Sequence, residues 1–137
     1  MKILAIDFGE RRIGIAMGHS ESKMAFPRDF IDTQRQNSWK EIQYIIEEER
    51  PKLIVVGYPE RTDGKIGEKV KAVDTFISEL ESRYKLPIHR QNEAFSSVDA
   101  KAKTKHYSTK KKKNEKGRID SAAAAVFLQE YFDHNEE

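Results

Sequence analysis

The amino-acid sequence predicts an α/β layered fold in which a mixed five-stranded sheet is flanked by helices on both faces. Two short apolar runs typical of buried strands, Ile3 to Ile6 and Leu53 to Val56, alternate with longer segments whose apolar residues recur at helical spacing. Because helices separate the later strands, those strands should join the sheet in parallel through right-handed crossovers.

The first three strands are predicted to form a hairpin and an edge strand. The run from Ile3 to Asp7 is apolar on both faces and ends at a carboxylate, as expected of a central strand. Residues 8–11 have turn character, and Arg12 to Met17 should return antiparallel. Met24 to Thr33 is predicted to be an edge strand because Pro27, which cannot donate to a strand ladder, lies in its middle.

Helices and strands alternate along the rest of the chain. Asn37 or Ser38 is predicted to cap the first helix, and Pro51 to follow its end. The predicted elements are a helix to about residue 49, a strand from Leu53 to Gly57, an amphipathic helix from Ile66 to Tyr84, a strand from Pro87 to Gln91, a helix from Phe95 to about Lys105 and an alanine-rich helix from Ser121 to about Phe132. The expected strand order is 3-2-1-4-5, with the first strand at the centre.

Length and composition restrict the class of protein. The 137 residues are enough for a hydrophobic core, and we expect residues 1–137 to form a single domain. The absence of cysteine excludes disulfides and thiolate metal sites. No apolar run approaches the roughly 20 residues of a membrane span or resembles a signal peptide. We therefore expect a cytoplasmic protein with no membrane partner.

Positive charge is concentrated in one segment. Residues 101–118 carry a net charge of +8, so the rest of the chain carries −6 and the total is +2. Such a segment is the electrostatic signature of a polyanion binder, although a solvated lysine loop has the same composition. The candidate phosphate contacts are Lys110, Lys111, Lys112, Lys113, Lys116 and Arg118.

Three acidic residues lie where predicted elements begin or end. Asp7 ends the first strand, Glu93 follows the last strand, and Asp120 precedes the final helix. Asp7 and Glu93 would be two strand spacings apart, about 10 Å, with Gly57 leaving the space between them open. Oxygen ligands suit a hard divalent cation, which can activate water against a phosphodiester. Taken singly, each acid also fits a turn, a surface position or a helix start.

Four segments of the sequence resemble motifs of the YqgF/RuvX family. They are DFGERRIGIA from Asp7, VVGYPERTDG from Val55, NEAFSS from Asn92 and RIDSAAAAVFLQEY from Arg118. The resemblance covers essentially the whole chain and implies a ribonuclease H-like fold. Members of this family are described as Holliday junction resolvases and, in bacteria, as nucleases that mature the 5′ end of pre-16S rRNA.

The resemblance also implies roles for individual residues. Asp7, Glu93 and Asp120 would be the catalytic acids and would bind one or two Mg²⁺ or Mn²⁺ ions. Arg12 would contact a phosphate of the nucleic acid. The residues expected to shape the site are Gly9, Gly57, Pro59, Asp63 and Gly64.

Two residues depart from the family pattern, because Asn92 and Ala94 stand where aspartate and arginine are usual. Ala94 removes a phosphate or ion-pair contact and so weakens the expected grip on the substrate, and Asn92 removes a further charge nearby. We expect a metal-dependent nuclease that acts on structured nucleic acid, in 5′-end maturation of pre-16S rRNA on the ribosome or its precursor. The alternatives are a junction resolvase acting on branched DNA and a non-catalytic RNA-binding assembly factor. The expected oligomeric state is a monomer or weak dimer.

An ATP-binding alternative follows from the first motif. Residues 7–16 also resemble the phosphate-binding hairpin of actin-like ATPases and sugar kinases, which have a related core fold. Those proteins form the nucleotide site between two such domains, whereas this sequence predicts one. Stabilisation of the protein by nucleotide would support this alternative.

Overall fold

The structure, a computed structural model, describes residues 1–59, 66–92 and 121–134. Within these ranges the elements are β1 (Lys2–Asp7), β2 (Arg12–His19), β3 (Met24–Asp32), α1 (Ser38–Glu49), β4 (Leu53–Tyr58), α2 (Ile66–Arg83), β5 (Ile88–Asn92) and α3 (Ala122–His134). Their bounds lie within two residues of those predicted. The predicted helix from Phe95 to Lys105 lies outside the described residues.

The sheet has the predicted strand order, β3-β2-β1-β4-β5. β1 pairs antiparallel with β2, which pairs antiparallel with β3. On its other edge β1 pairs in parallel with β4, and β4 pairs in parallel with β5. β1 is therefore the central strand, and residues Ile3 to Ile6 are fully buried because both faces of the sheet are covered.

Two hydrophobic clusters lie on opposite faces of the sheet. Leu4 and Ile6 of β1 pack in one cluster with Ile42 of α1 and Ile77 of α2. The other cluster contains Ile3 and Ala5, and packs them against Phe127 and Leu128 of α3. Because successive strand residues point to opposite faces, the even positions of β1 face α1 and α2, and the odd positions face α3.

The ends of α1 are defined by local chemistry. The Asn37 side-chain oxygen accepts a hydrogen bond of 3.2 Å from the Lys40 amide, which confirms the predicted cap. Arg50 adopts a left-handed conformation with φ of 50°, and its amide donates to the Ile46 carbonyl at 2.8 Å. Pro51 then prevents the helix from continuing.

α3 packs closely on the sheet because Gly18 of β2 has no side chain. A Cβ at Gly18 would lie 2.7 Å from the Phe132 ring and 2.8 Å from the Met24 carbonyl oxygen. The alanines in the first turns of α3 also allow a short distance between helix and sheet. Among the helices in the described ranges, none is both long and apolar enough to cross a membrane.

Candidate active site

Asp7 lies on the α3 face of the sheet between two glycines. Its side chain follows Ile3 and Ala5 in the strand alternation, and it is partly buried. On one side Asp7 pairs directly with Gly14 of β2. On the other side the register of Ile6 with Val56 makes Gly57 its neighbour in β4. Neither adjacent position therefore places a side chain beside the Asp7 carboxylate.

Gln91 of β5 extends this row across the sheet. Gln91 pairs with Gly57, so it lies level with Asp7 at a distance of two strand spacings, about 10 Å. Its Oε1 atom is 3.2 Å from Nε2 of His89. The His89 ring in turn packs edge-on against Tyr131 of α3, with ring centroids 5.0 Å apart. Gln91 and His89 therefore face α3, as Asp7 does.

Ser121 connects the start of α3 to the same end of the sheet. Its side chain is fully buried, and its Oγ accepts a hydrogen bond of 3.0 Å from the Ile15 amide. Ile15 pairs with Ile6, the residue before Asp7. Ile15 also lies beside an irregularity in the β2–β3 register, where the ladder between those strands is locally disrupted. The chain thus enters α3 next to the end of β1.

Two of the three predicted acids lie outside the described residues. Glu93 follows Asn92, the last residue of β5, and Asp120 precedes Ser121. The other site predictions outside the described residues are Asp63, Gly64, Lys110, Lys111, Lys112, Lys113, Lys116 and Arg118. Within the described part of the chain, no three acidic or histidine side chains converge on a metal position. Asp7 is the predicted metal ligand that can be placed.

The turn between β1 and β2 is tight, and it brings Arg12 beside the edge strand. A Cβ at Gly9 would lie 2.5 Å from the Arg12 carbonyl oxygen, so only glycine fits there without movement of the backbone. Thr33 Oγ1 donates to the Glu10 carbonyl at 2.6 Å and lies 3.0 Å from that of Arg11. The Arg12 guanidinium is 5.5 Å from the centre of the Phe30 ring.

Of the other residues predicted to shape the site, Gly57 and Pro59 are described. Both are buried, and Pro59 follows the end of β4. Sequence reasoning missed Gly14, Gln91 and Ser121. A sequence signal existed for Gly14, since the hairpin length fixes which residue lies opposite Asp7. The contacts of Gln91 and Ser121 depend on register and on packing of distant elements, which no local pattern specifies.

The sheet order and the packing of helices define a ribonuclease H-like fold. A fowlpox virus resolvase, solved in complex with Holliday junction DNA, superimposes with a TM-score of 0.62 at 15% identity, covering 100% of both chains. The Thermus thermophilus RuvC, solved with a Holliday junction substrate, gives a TM-score of 0.58 at 14% identity and covers 98% of this chain and 95% of that one. At these identities the likeness establishes the fold.

Residues 1–134 match the family profile RuvX, described as Holliday junction resolvase, and the chain belongs to that family. A protein of Maridesulfovibrio salexigens is 37% identical over 133 residues, which cover 94% of this chain and 96% of the relative. A protein of Nitrosomonas europaea is 35% identical over 132 residues, which cover 96% of this chain and 88% of the relative. Both relatives are named "Putative pre-16S rRNA nuclease". The resemblance predicted from the four motifs is therefore confirmed.

Proposed function

We propose that this protein is a metal-dependent nuclease that hydrolyses phosphodiester bonds of structured RNA, with Asp7, Glu93 and Asp120 as its acidic triad. One observation supports this most directly. Asp7, Asn92 and Ser121 lie at the same end of the sheet, and the other two acids are the covalent neighbours of Asn92 and Ser121. Because consecutive Cα atoms are about 3.8 Å apart, we infer that Glu93 and Asp120 act together with Asp7 at this end of the sheet.

The residues of the triad suit a hard divalent cation. Three carboxylates supply oxygen ligands without sulfur or a histidine pair, which favours Mg²⁺ or Mn²⁺, one or two ions in number. When bound, such an ion lowers the pKa of a coordinated water and stabilises the leaving oxygen of a phosphodiester. Gly14 and Gly57 place no side chain on either side of Asp7, where we expect the ion and the phosphate to bind.

The charged segments of the chain fit a nucleic-acid substrate. The lysines at 110–113 and 116, together with Arg118, would neutralise backbone phosphates, a contact that gives affinity without base readout. Arg12, at the start of β2, would contact a phosphate at the site itself. We place its action in the cytoplasm on pre-16S rRNA, the substrate in the name of both relatives, and at the 5′ end of that RNA. The ribosome precursor is then its partner.

Cleavage of a defined RNA tests this proposal. The purified protein is incubated with a 5′-extended pre-16S fragment in Mg²⁺, in Mn²⁺ and in chelator. Asp7→Asn should abolish metal-dependent cleavage while its circular dichroism and RNA affinity stay near wild type. Asp29→Asn, the same chemical change at an exposed position of β3, is the matched control and should cleave normally. Unchanged cleavage by Asp7→Asn would remove Asp7 from the mechanism.

A four-way DNA junction provides the competing substrate, because the family profile carries the description of a resolvase. Cleavage of the junction at a rate above that of the RNA fragment would assign the protein to branched DNA. Salt-sensitive RNA binding without cleavage in any metal would indicate a non-catalytic assembly factor. Manganese binding can be followed separately, since a ligand at 100 times its Kd stabilises the folded state by about 2.7 kcal/mol.

A further inference from the structure

A cleft of about 390 Å³ opens between the β1–β2 turn and the first turns of α2. Its lining residues are Phe8, Gly9, Glu10, Glu68, Lys69 and Ala72. Phe8 packs with the cluster that faces α1 and α2, so the cleft lies on the face of the sheet opposite the Asp7 carboxylate. The two are nonetheless adjacent along the chain, because Phe8 follows Asp7 directly.

Phe8 is the outermost ring of a fixed aromatic stack. Its ring stacks on that of buried Phe76 with centroids 4.6 Å apart and an interplanar angle of 26°. Phe76 stacks in turn on Trp39 at 5.2 Å, and the Arg83 guanidinium lies 4.5 Å from the centre of the Trp39 ring. Phe8 is only partly buried, so it presents a supported aromatic surface to the cleft without needing to change conformation.

The rest of the lining provides flat contact and hydrogen-bond acceptors. Gly9 and Ala72 add little bulk beside the Phe8 ring. Glu10 and Glu68 contribute two carboxylates against the single cation of Lys69, so the lining has a net charge of −1. This balance disfavours a phosphate and favours a planar group with amino donors at its edge. The volume falls at the low end of the roughly 300–1,000 Å³ range of small-ligand sites.

We propose that this cleft takes one unpaired nucleobase of the substrate, stacked on Phe8 with its amino edge directed to Glu10 and Glu68. Carboxylates accept hydrogen bonds from the exocyclic amines of cytosine, adenine and guanine, which uracil lacks. The inference rests on the proposed function only in taking nucleic acid as the substrate. A base can enter the cleft only when it is unpaired, so the site takes a nucleotide from a single-stranded part of the substrate.

Binding without cleavage tests this site. A single-stranded RNA spanning the 5′ end of 16S rRNA carries 2-aminopurine at one position at a time, and is titrated with protein in chelator. One position should show a strong fluorescence change on binding. Phe8→Leu should remove that change and weaken binding about 5- to 150-fold, the range for loss of one base–aromatic stack. Phe8→Trp should retain the fluorescence change and the affinity. The control Tyr44→Leu, which removes an exposed ring of α1, should retain them too.

A second variant separates base binding from folding. Ala72→Leu fills the cleft from α2 and leaves the aromatic stack in place, and it should weaken RNA binding as Phe8→Leu does. Equal fluorescence and affinity in wild type, Phe8→Leu and Ala72→Leu would overturn the proposal. Free cytidine monophosphate is titrated as a further comparison. If it binds as tightly as the RNA, the cleft is a site for a free nucleotide and not for a base of the substrate.

The outcome is also distinct from that of the nuclease test. A base-specific signal that is lost in Phe8→Leu supports base binding in the cleft, whether or not a metal promotes cleavage. The absence of metal-dependent cleavage would refute the nuclease proposal alone. Metal-dependent cleavage with no position-specific signal would refute the cleft alone. If the protein cleaves RNA, a substrate with uracil at the contacted position should be cleaved more slowly by the wild type. The same change of substrate should have a smaller effect on the double variant Glu10→Gln/Glu68→Gln.

Discussion

The Ser121 hydroxyl accepts a hydrogen bond of 3.0 Å from the Ile15 amide, a contact between residues 106 positions apart in the sequence. Both residues are fully buried or nearly so, and Ile15 lies opposite Ile6 in the neighbouring strand. The bond fixes where the chain enters α3 relative to β1. It thereby fixes Ser121, the residue that follows Asp120, close to the end of β1, as a metal site shared by Asp7 and Asp120 would require.

Replacement of Ser121 by alanine should lower both stability and activity. The Ile15 amide would lose its partner in a site that water does not reach, which costs about 1–3 kcal/mol. The free energy of unfolding, measured by urea denaturation, should fall by that amount. If the bond positions Asp120, the cleavage rate should fall at temperatures where the variant is still fully folded.

Ser82→Ala is the matched control for this change. Ser82 also uses its hydroxyl in a local bond, donating to the Glu79 carbonyl at 2.8 Å, but it is exposed on α2. Water can replace that bond, so stability should change by less than about 0.5 kcal/mol. If Ser121→Ala were as stable and active as Ser82→Ala, the contact would have no role in holding the site.

Most of the fold was predictable because its strongest signals are local. The runs of β1 and β4 are short, apolar on both faces and rich in β-branched residues, a pattern typical of strands in a covered sheet. The hairpin and the helical crossovers then leave few strand orders, and the observed order is the predicted one. The cap of α1 at Asn37 was predictable for the same reason.

The surroundings of the site were less predictable, because they depend on register and on long-range packing. Asp7 was identified by its place at the end of a buried strand. The sequence does not indicate that Gln91 shares a row with Asp7, since that follows from two successive strand pairings. Nor does it show that Phe8 has a supported ring surface, which depends on Phe76 from a helix almost 70 residues later.

Gly18→Ala should destabilise the packing of α3 on β2. The added Cβ would lie 2.7 Å from the Phe132 ring and 2.8 Å from the Met24 carbonyl oxygen, and the backbone contact cannot be relieved by a rotamer change. We expect a loss of about 1–3 kcal/mol in the free energy of unfolding, the usual cost of overpacking. Addition of Phe132→Leu should restore part of this loss, because it relieves one of the two contacts.

Gly67→Ala should have the opposite effect on stability, because Gly67 is exposed whereas Gly18 is buried. Among the described residues, no atom outside the adjacent residues and the local helix backbone lies within 4 Å of a Cβ at this position in the first turn of α2. Alanine is favoured over glycine in helices, so stability should rise by up to about 1 kcal/mol. Both variants are compared by the same urea denaturation. Equal stability of Gly18→Ala and Gly67→Ala would show that α3 can move away from β2 at no cost.

Glu49 joins three elements of the fold and should make stability depend on acid pH. Its carboxylate accepts from Lys2 Nζ at 3.0 Å and from Arg28 Nη1 at 2.5 Å, which connects the end of α1 to β1 and β3. The hydrogen bond from Lys2, followed by that from Arg28, lowers the pKa of Glu49 below its ordinary value of 4.5. Since the folded-state pKa is the lower one, this contribution is present above about pH 4.5 and disappears as the pH falls through the folded-state pKa.

Glu49→Gln should therefore lower the free energy of unfolding by about 0.5–1 kcal/mol at pH 7, a range appropriate to partly exposed ion pairs. The difference between variant and wild type should shrink below pH 4.5. Urea denaturation at pH 7, 5, 4 and 3 measures it. Glu81→Gln, the same change at an exposed position of α2, is the matched control. A constant difference at all four pH values would exclude the ionised carboxylate as its source.

The lysine-rich segment should determine how RNA affinity depends on salt. Each phosphate contact that releases a counterion contributes about 0.7 to the slope of log affinity against log salt for a single strand and about 0.9 for a duplex. Replacement of the four lysines at 110–113 by glutamine should reduce that slope by about 3 if all four contact phosphates. The control makes the same charge change at four exposed lysines elsewhere, Lys40, Lys52, Lys71 and Lys85. Fluorescence anisotropy from 50 to 300 mM KCl measures both. Equal slopes in the two variants would mean that net charge, and not a located contact, attracts the RNA.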